Sequence, residues 1–227
     1  MAERKPFDRC DSLPAHSGPN VFPNFLLFSR LVRLAHRPLL AVRDVTFGFK
    51  ATYTQLLSDV LLLRNSLRQQ LDPAIVARVD HGEEVYILLL GPGGYEFTVG
   101  FLGVVAFGAA VVPLAPSLPL KEALYFAKKA NAVAILTAEH CIELGSGIRE
   151  TMVKSTSCFR EILLRPHVMQ PCMNPEDFQV SSDRYVDLNA PAYVLFTSGT
   201  TGPPKGGVKR RGFLCDVVSA SMHGSFH

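Results

Sequence analysis

Ala192-Tyr193-Val194-Leu195-Phe196 runs directly into Thr197-Ser198-Gly199-Thr200-Thr201-Gly202-Pro203-Pro204-Lys205-Gly206. The first five residues are aliphatic or aromatic and have the composition of a strand. The next ten carry four hydroxyls, three glycines and one lysine. A strand therefore feeds a donor-rich loop. Glycine lets backbone N–H groups approach a ligand, hydroxyls add neutral donors, and Lys205 adds a point charge on a long stem. Together these suit phosphate oxygens. A P-loop would need Gly before its lysine and Ser or Thr after it; here Pro204 and Gly206 flank Lys205, and no G-x-G-x-x-G is present either. The plain competitor is a Ser/Thr/Gly-rich surface turn.

The chain has 227 residues, enough for one good-sized domain or a piece of a larger one. An apolar fraction of 48% fits a globular protein. A net charge of +3 is too small to argue for nucleic acid or an anionic membrane, and the densest basic run is Lys209-Arg210-Arg211. Cys10, Cys141, Cys158, Cys172 and Cys215 are odd in number and form no C-x-x-C pair, so neither a disulfide framework nor a zinc site is expected. The polar start, without an apolar stretch behind it, argues against a secretory or transit signal, and a cytoplasmic location is expected. Phe97 to Leu120 carries no charge. Gly108 splits that run and Pro113, Pro116 and Pro119 crowd its second half, so a buried helix followed by a buried parallel strand is expected, with no transmembrane segment.

Along the chain, residues 1–24 read as an irregular lead-in, and Asn24 as the cap of a helix carrying Leu27, Leu31, Leu34 and Ala35 on one face. Two short strands are expected over 39–44 and 46–50. Leu56, Val60, Leu63, Leu67 and Leu71 keep helical spacing, with Asp59, Arg64 and Arg68 off that face, and Asp72-Pro73 ends the helix. Strands over 85–90, 110–113, 132–137 and 159–164 alternate with helices over 95–107, 119–131 and 139–150. Such alternation predicts an α/β fold with a parallel sheet and βαβ layers. Gly91-Pro92-Gly93-Gly94 lacks any lysine or hydroxyl and reads as a structural turn. Residues 165–190 read as a polar surface connection, and 212–222 as helical. His223 and His227 make a poor metal pair, and His140 beside Cys141 has no partner visible in the sequence.

The order from Thr197 through Lys205 and Gly206 resembles the signature loop of the adenylate-forming superfamily: acyl-CoA synthetases, adenylation domains of peptide synthetases, and luciferases. Thr52-Tyr53-Thr54-Gln55-Leu56 looks like an early landmark of that family. The stretch from Val111-Val112-Pro113-Leu114-Ala115-Pro116 through Tyr125 resembles the segment after the same helix in acyl-CoA synthetases. In tone the chain is nearest to malonyl-CoA synthetase-like members.

The resemblance implies an incomplete N-terminal portion of an AMP-forming acid–thiol ligase, with 25–227 as a partial AMP-binding domain. It further implies that ATP activates a carboxylic acid to an acyl-adenylate, and that coenzyme A takes the acyl group. Thr197, Ser198, Gly199, Thr200, Thr201, Gly202 and Lys205 would serve the β- and γ-phosphates, with Lys205 supplying charge. The ligand of the accompanying Mg2+ is expected outside this chain, since neither Tyr-x-x-Thr-Glu nor Thr-Gly-Asp occurs. Two departures stand out: Gly207 replaces a branched apolar residue, and Arg210-Arg211 replace a Ser/Thr-His pair. A non-catalytic relic that binds nucleotide or a protein partner, and a fragment of an amino-acid adenylation domain, are the alternative readings.

Overall fold

The computed structural model describes residues 18–45, 48–197 and 204–220. Its frame is a six-stranded sheet made from β4 (Tyr86–Leu90), β5 (Ala110–Leu114), β6 (Ala134–Thr137), β7 (Arg160–Leu163), β9 (Pro191–Thr197) and β10 (Lys205–Arg210). The order is β10-β9-β5-β4-β6-β7; every pairing is parallel except the outermost, where β10 runs antiparallel to β9. Before the sheet come β1 (Val21–Asn24), α1 (Leu26–Ala35), β2 (Leu40–Asp44), β3 (Phe49–Thr52), α2 (Tyr53–Gln70) and α3 (Pro73–Asp80). The crossovers are α4 (Tyr95–Phe107), α5 (Leu120–Lys129) and α6 (Ile142–Val153), while β8 (Gln179–Tyr185) precedes β9 and α7 (Arg211–Ala220) comes after β10.

Strand residues alternate between two cores, as the period of two requires. Ile87, Leu89, Val111, Ala134 and Leu136 face the core that holds α2 and α4. Leu88, Leu90, Val112 and Ile135 face the one that holds α5 and α6. Both faces are thus covered, which explains why these strands are unbroken apolar runs. The uncharged run from Phe97 resolves into most of α4, all of β5 and the turn after it, and among the described residues no helix is long and apolar enough to cross a membrane.

Local chemistry sets the boundaries. Thr52 caps α2 by accepting from the Gln55 amide at 3.2 Å, and Asp72 caps α3 by accepting from the Ala74 amide at 2.9 Å with Pro73 in the first turn. Gly108, at φ 104°, closes α4 in the left-handed conformation. Gly94 opens the same helix at φ 143°. There the Tyr95 N–H donates to Asp44 Oδ2 at 3.2 Å. A carboxylate of the chain itself thus sits at this helix N-terminus, so the Gly91–Gly94 turn is structural.

Four expectations need correction. The lead-in becomes regular before residue 25: β1 pairs in parallel with β8. Asn24 is consequently strand, and the N-cap is Phe25, which makes no side-chain capping bond. Residues 165–190 are more than a surface connection, because Val168 and Phe178 are buried and β8 lies inside the stretch. Asp59 and Arg64 do not face water; both are buried. The layer formed by β1 and residues 168–173 covers that side of α2. Arg64 donates to the carbonyls of Gly18 and Pro19 at 3.1 and 2.9 Å and to that of Val21.

Candidate nucleotide-phosphate site

The sheet places the two ends of the donor-rich loop, Thr197 and Lys205, where a parallel α/β sheet binds ligands, at the carboxyl ends of its strands. Thr197 ends β9, Lys205 begins β10, and the two are direct partners across the antiparallel pair. Their side chains therefore stand on the same face of the hairpin. Thr197 Oγ1 donates to the Lys205 carbonyl at 3.4 Å, and Lys205 is exposed. The sequence candidates Ser198, Gly199, Thr200, Thr201 and Gly202 lie outside the described residues. The structure thus fixes the two ends of the loop, and brings Thr197 and Lys205 together.

Helix α5 grips both ends. The Phe126 ring stacks on Phe196, one residue before Thr197, with centroids 4.2 Å apart and planes 7° from parallel. The Tyr125 hydroxyl donates to the carbonyl of Pro204, one residue before Lys205, at 3.2 Å. The sequence pattern does not mark Phe126, and names Tyr125 only as the end of the stretch that begins at Val111; the signal present is two aromatics side by side on a helix. Strand β10 also escaped that reading, since Lys-Gly-Gly-Val-Lys-Arg has neither alternation nor strand composition.

The two arginines that depart from the family pattern sit at the other end of the hairpin. Arg210 donates to the Asn189 carbonyl, and Arg211 Nη2 to the carbonyl of Gly108 at 2.5 Å. They tie β10 and α7 to the amino-terminal edge of the sheet, away from the loop. A cavity of about 120 Å³ lies at that same edge, lined by Val85, Phe107, Gly108, Ala110, Pro191 and Arg211. It is on the wrong side of the sheet to serve the loop.

Other polar groups near the carboxyl edge are committed to each other. Arg165 lies 3.9 Å from Glu96 and 3.6 Å from Glu139. Asp59 Oδ2 accepts from the Tyr95 hydroxyl at 2.7 Å and the Met169 amide at 2.8 Å, while Oδ1 accepts from Gln55 Nε2 at 3.0 Å and the Gln170 amide at 3.2 Å. Burial pushes the Asp59 carboxyl above the ordinary carboxylate range despite those four donors. With its acceptor sites filled, Asp59 pins residues 169–170 to α2 and α4. Burial, with Glu96 nearby, also raises the Cys141 thiol, which makes it a poor nucleophile. Among the described residues no group of three or more His, Cys, Asp or Glu could hold a metal ion. Cys10, His223 and His227 lie outside the described residues.

The family model for AMP-binding enzymes matches residues 35–223. The chain belongs to that family. Among curated proteins, the acyl-CoA ligase oryP of Aspergillus oryzae is 28% identical over 203 residues, which are 86% of this chain and 33% of oryP. A dimodular nonribosomal peptide synthase of Bacillus subtilis is 33% identical over 148 residues, 64% of this chain and 6% of the synthase. The chain thus spans about a third or less of the length of these relatives. Among solved structures, ATP-bound MatB from Rhodopseudomonas palustris superposes with a TM-score of 0.62 at 22% identity, over 84% of this chain and 36% of MatB. A luciferase-like enzyme from Zophobas morio gives 0.63 at 15% identity, over 89% and 46%. The mostly parallel α/β fold is that of the N-terminal part of adenylate-forming enzymes.

Proposed function

We propose that this AMP-binding chain supplies the N-terminal, phosphate-handling part of an AMP-forming acid–thiol ligase. The observation that carries the reading is the direct opposition of Thr197 and Lys205 across β9 and β10, which holds a hydroxyl- and glycine-rich loop at the carboxyl edge of the sheet. In the reaction, a carboxylate oxygen of the acid bonds to the α-phosphorus of ATP as the bond to the bridging oxygen breaks and pyrophosphate leaves. A thiol sulfur then takes the acyl carbon, AMP departs, and the thiol proton is released. Positioning and charge neutralisation carry most of such a phosphoryl transfer. Lys205 sets a positive charge beside the departing phosphates, and the loop hydroxyls and amides, with the Thr197 hydroxyl once it turns from the Lys205 carbonyl, donate hydrogen bonds to their oxygens. The charge that the ends of the loop bring to those phosphates is that of Lys205.

Coenzyme A is the acceptor favoured by the match to an acyl-CoA ligase over 86% of the chain. The peptide-synthase match, at 33% identity over a shorter stretch, supports a second reading in which the acid is an amino acid. The experiment is isotope exchange of pyrophosphate into ATP by the protein as its own cells make it. The panel sets malonate and other small carboxylic acids against amino acids, and an assay for the coenzyme A thioester comes next. Exchange with a carboxylic acid, and then thioester, is expected. Exchange with amino acids and no thioester would establish the second reading, and no exchange with any acid would overturn both.

A further inference from the structure

We propose that Tyr125 and Phe126 are positioning residues that fix the stem of the phosphate loop. The inference rests on the functional reading above for its consequence, though not for its geometry. Strand β10 is tied by Arg210 at the end away from the loop, but its six residues are exposed, two of them are glycines, and its other edge is unpaired among the described residues. Its pairing with β9 sets its direction, and at its first residue the side-chain tie is the Thr197 hydroxyl, 3.4 Å from the Lys205 carbonyl. Adjacent residues on a helix point about 100° apart, so one helix can present a side chain to the core and the next to a loop above it. Helix α5 does this at the step where the loop begins and ends.

Phe126 is 7% exposed and lies flat on Phe196, which fixes the strand that enters the loop. Tyr125 packs edge-on against Phe126 at 6.0 Å and directs its hydroxyl to the Pro204 carbonyl, which fixes the strand that leaves it. Lys205 is the next residue. A single neutral hydrogen bond of this kind changes an equilibrium by about fivefold, and small displacements of phosphate-binding groups are costly because catalysis depends on their placement.

Tyr125→Phe removes the hydroxyl and leaves the ring. Two readouts test it in the full chain: amide hydrogen exchange over residues 204–209, and steady-state kinetics of adenylate formation. Exchange over 204–209 is expected to quicken by about fivefold while α2 and α4 keep their rates. The KM for ATP is expected to rise by a similar factor, with the KM for the acid unchanged. Lys128→Ala, an exposed change on the same helix, leaves both readouts as they were. Unchanged exchange over 204–209 in Tyr125→Phe would overturn the proposal, as would a uniform rise across the sheet, which marks a merely structural role. If the unaltered protein activates no acid, the functional reading fails, while hydrogen exchange still decides whether Tyr125 holds the stem.

Discussion

Asp59 shows how far one residue can be misplaced by its spacing. On a helical wheel it falls off the aliphatic stripe of α2, where a carboxylate belongs in water. In the fold it is 0% exposed and takes four donors from three separate segments. Nothing in α2 announces this, because the covering layer is drawn from β1 and from residues more than a hundred positions away in sequence. Its titration has a consequence for stability. The folded carboxyl holds its proton at a pH where the unfolded chain, with an ordinary value near 3.8, has lost it. This group's contribution to stability therefore falls as pH rises from 3.8 through the raised folded value. Asp59→Asn abolishes that slope, and its amide nitrogen then faces two donors, a loss of about 2 kcal/mol. Urea unfolding of both proteins across acid to neutral pH checks it; parallel slopes would show that Asp59 is not the titrating group.

Elements differed in how much of them the sequence announced. Helix α4 was legible at both ends, since Gly94 and Gly108 carry backbone conformations that only glycine takes easily and the residues between are apolar throughout most of their length. The parallel strands were legible because burial on both faces makes them unbroken apolar runs. Strand β10 was not: its identity comes from pairing with β9, a tertiary cause that outweighs poor local propensity. Its two glycines now separate. A side chain at Gly206 would meet Val194 Cγ1 at 3.1 Å and Phe196 Cε1 at 3.3 Å, disturbing the ring that Phe126 holds. At Gly207, where a branched apolar residue is the family habit, the nearest atom is a backbone oxygen at 3.7 Å. Gly207→Val is therefore accommodated and stabilises the strand by about 0.5–1 kcal/mol. A higher unfolding midpoint checks this; a lower one would mean that β10 needs its glycine.

At the scale of the molecule, the sheet is asymmetric. One edge ends in β7, backed by α6, and the other in β10, wholly exposed, where Val208 and the neighbouring Leu195, Phe213 and Val217 are half-exposed. An exposed edge with apolar neighbours templates association. The 227-residue chain alone is expected to self-associate, and Val208→Lys to reduce this, as judged by light scattering during size-exclusion chromatography. A monodisperse, cooperatively melting monomer would contradict that expectation. The place of the loop's two ends at the carboxyl edge comes from the same topology, and that much was implicit in the strand preceding Thr197. Which helix steadies it was not, because α5 reaches the loop only after the chain has crossed the sheet again.

In the function proposed above, the residues from Thr197 to Lys205 serve the phosphates of ATP while a carboxylate is activated. The most direct test is pyrophosphate–ATP exchange by the protein as its cells make it, compared with Lys205→Ala under the acid that supports the fastest exchange. Loss of one charged donor at the departing phosphates predicts a fall of about a hundredfold, with Lys205→Arg recovering part of it. Full exchange in Lys205→Ala would contradict the account.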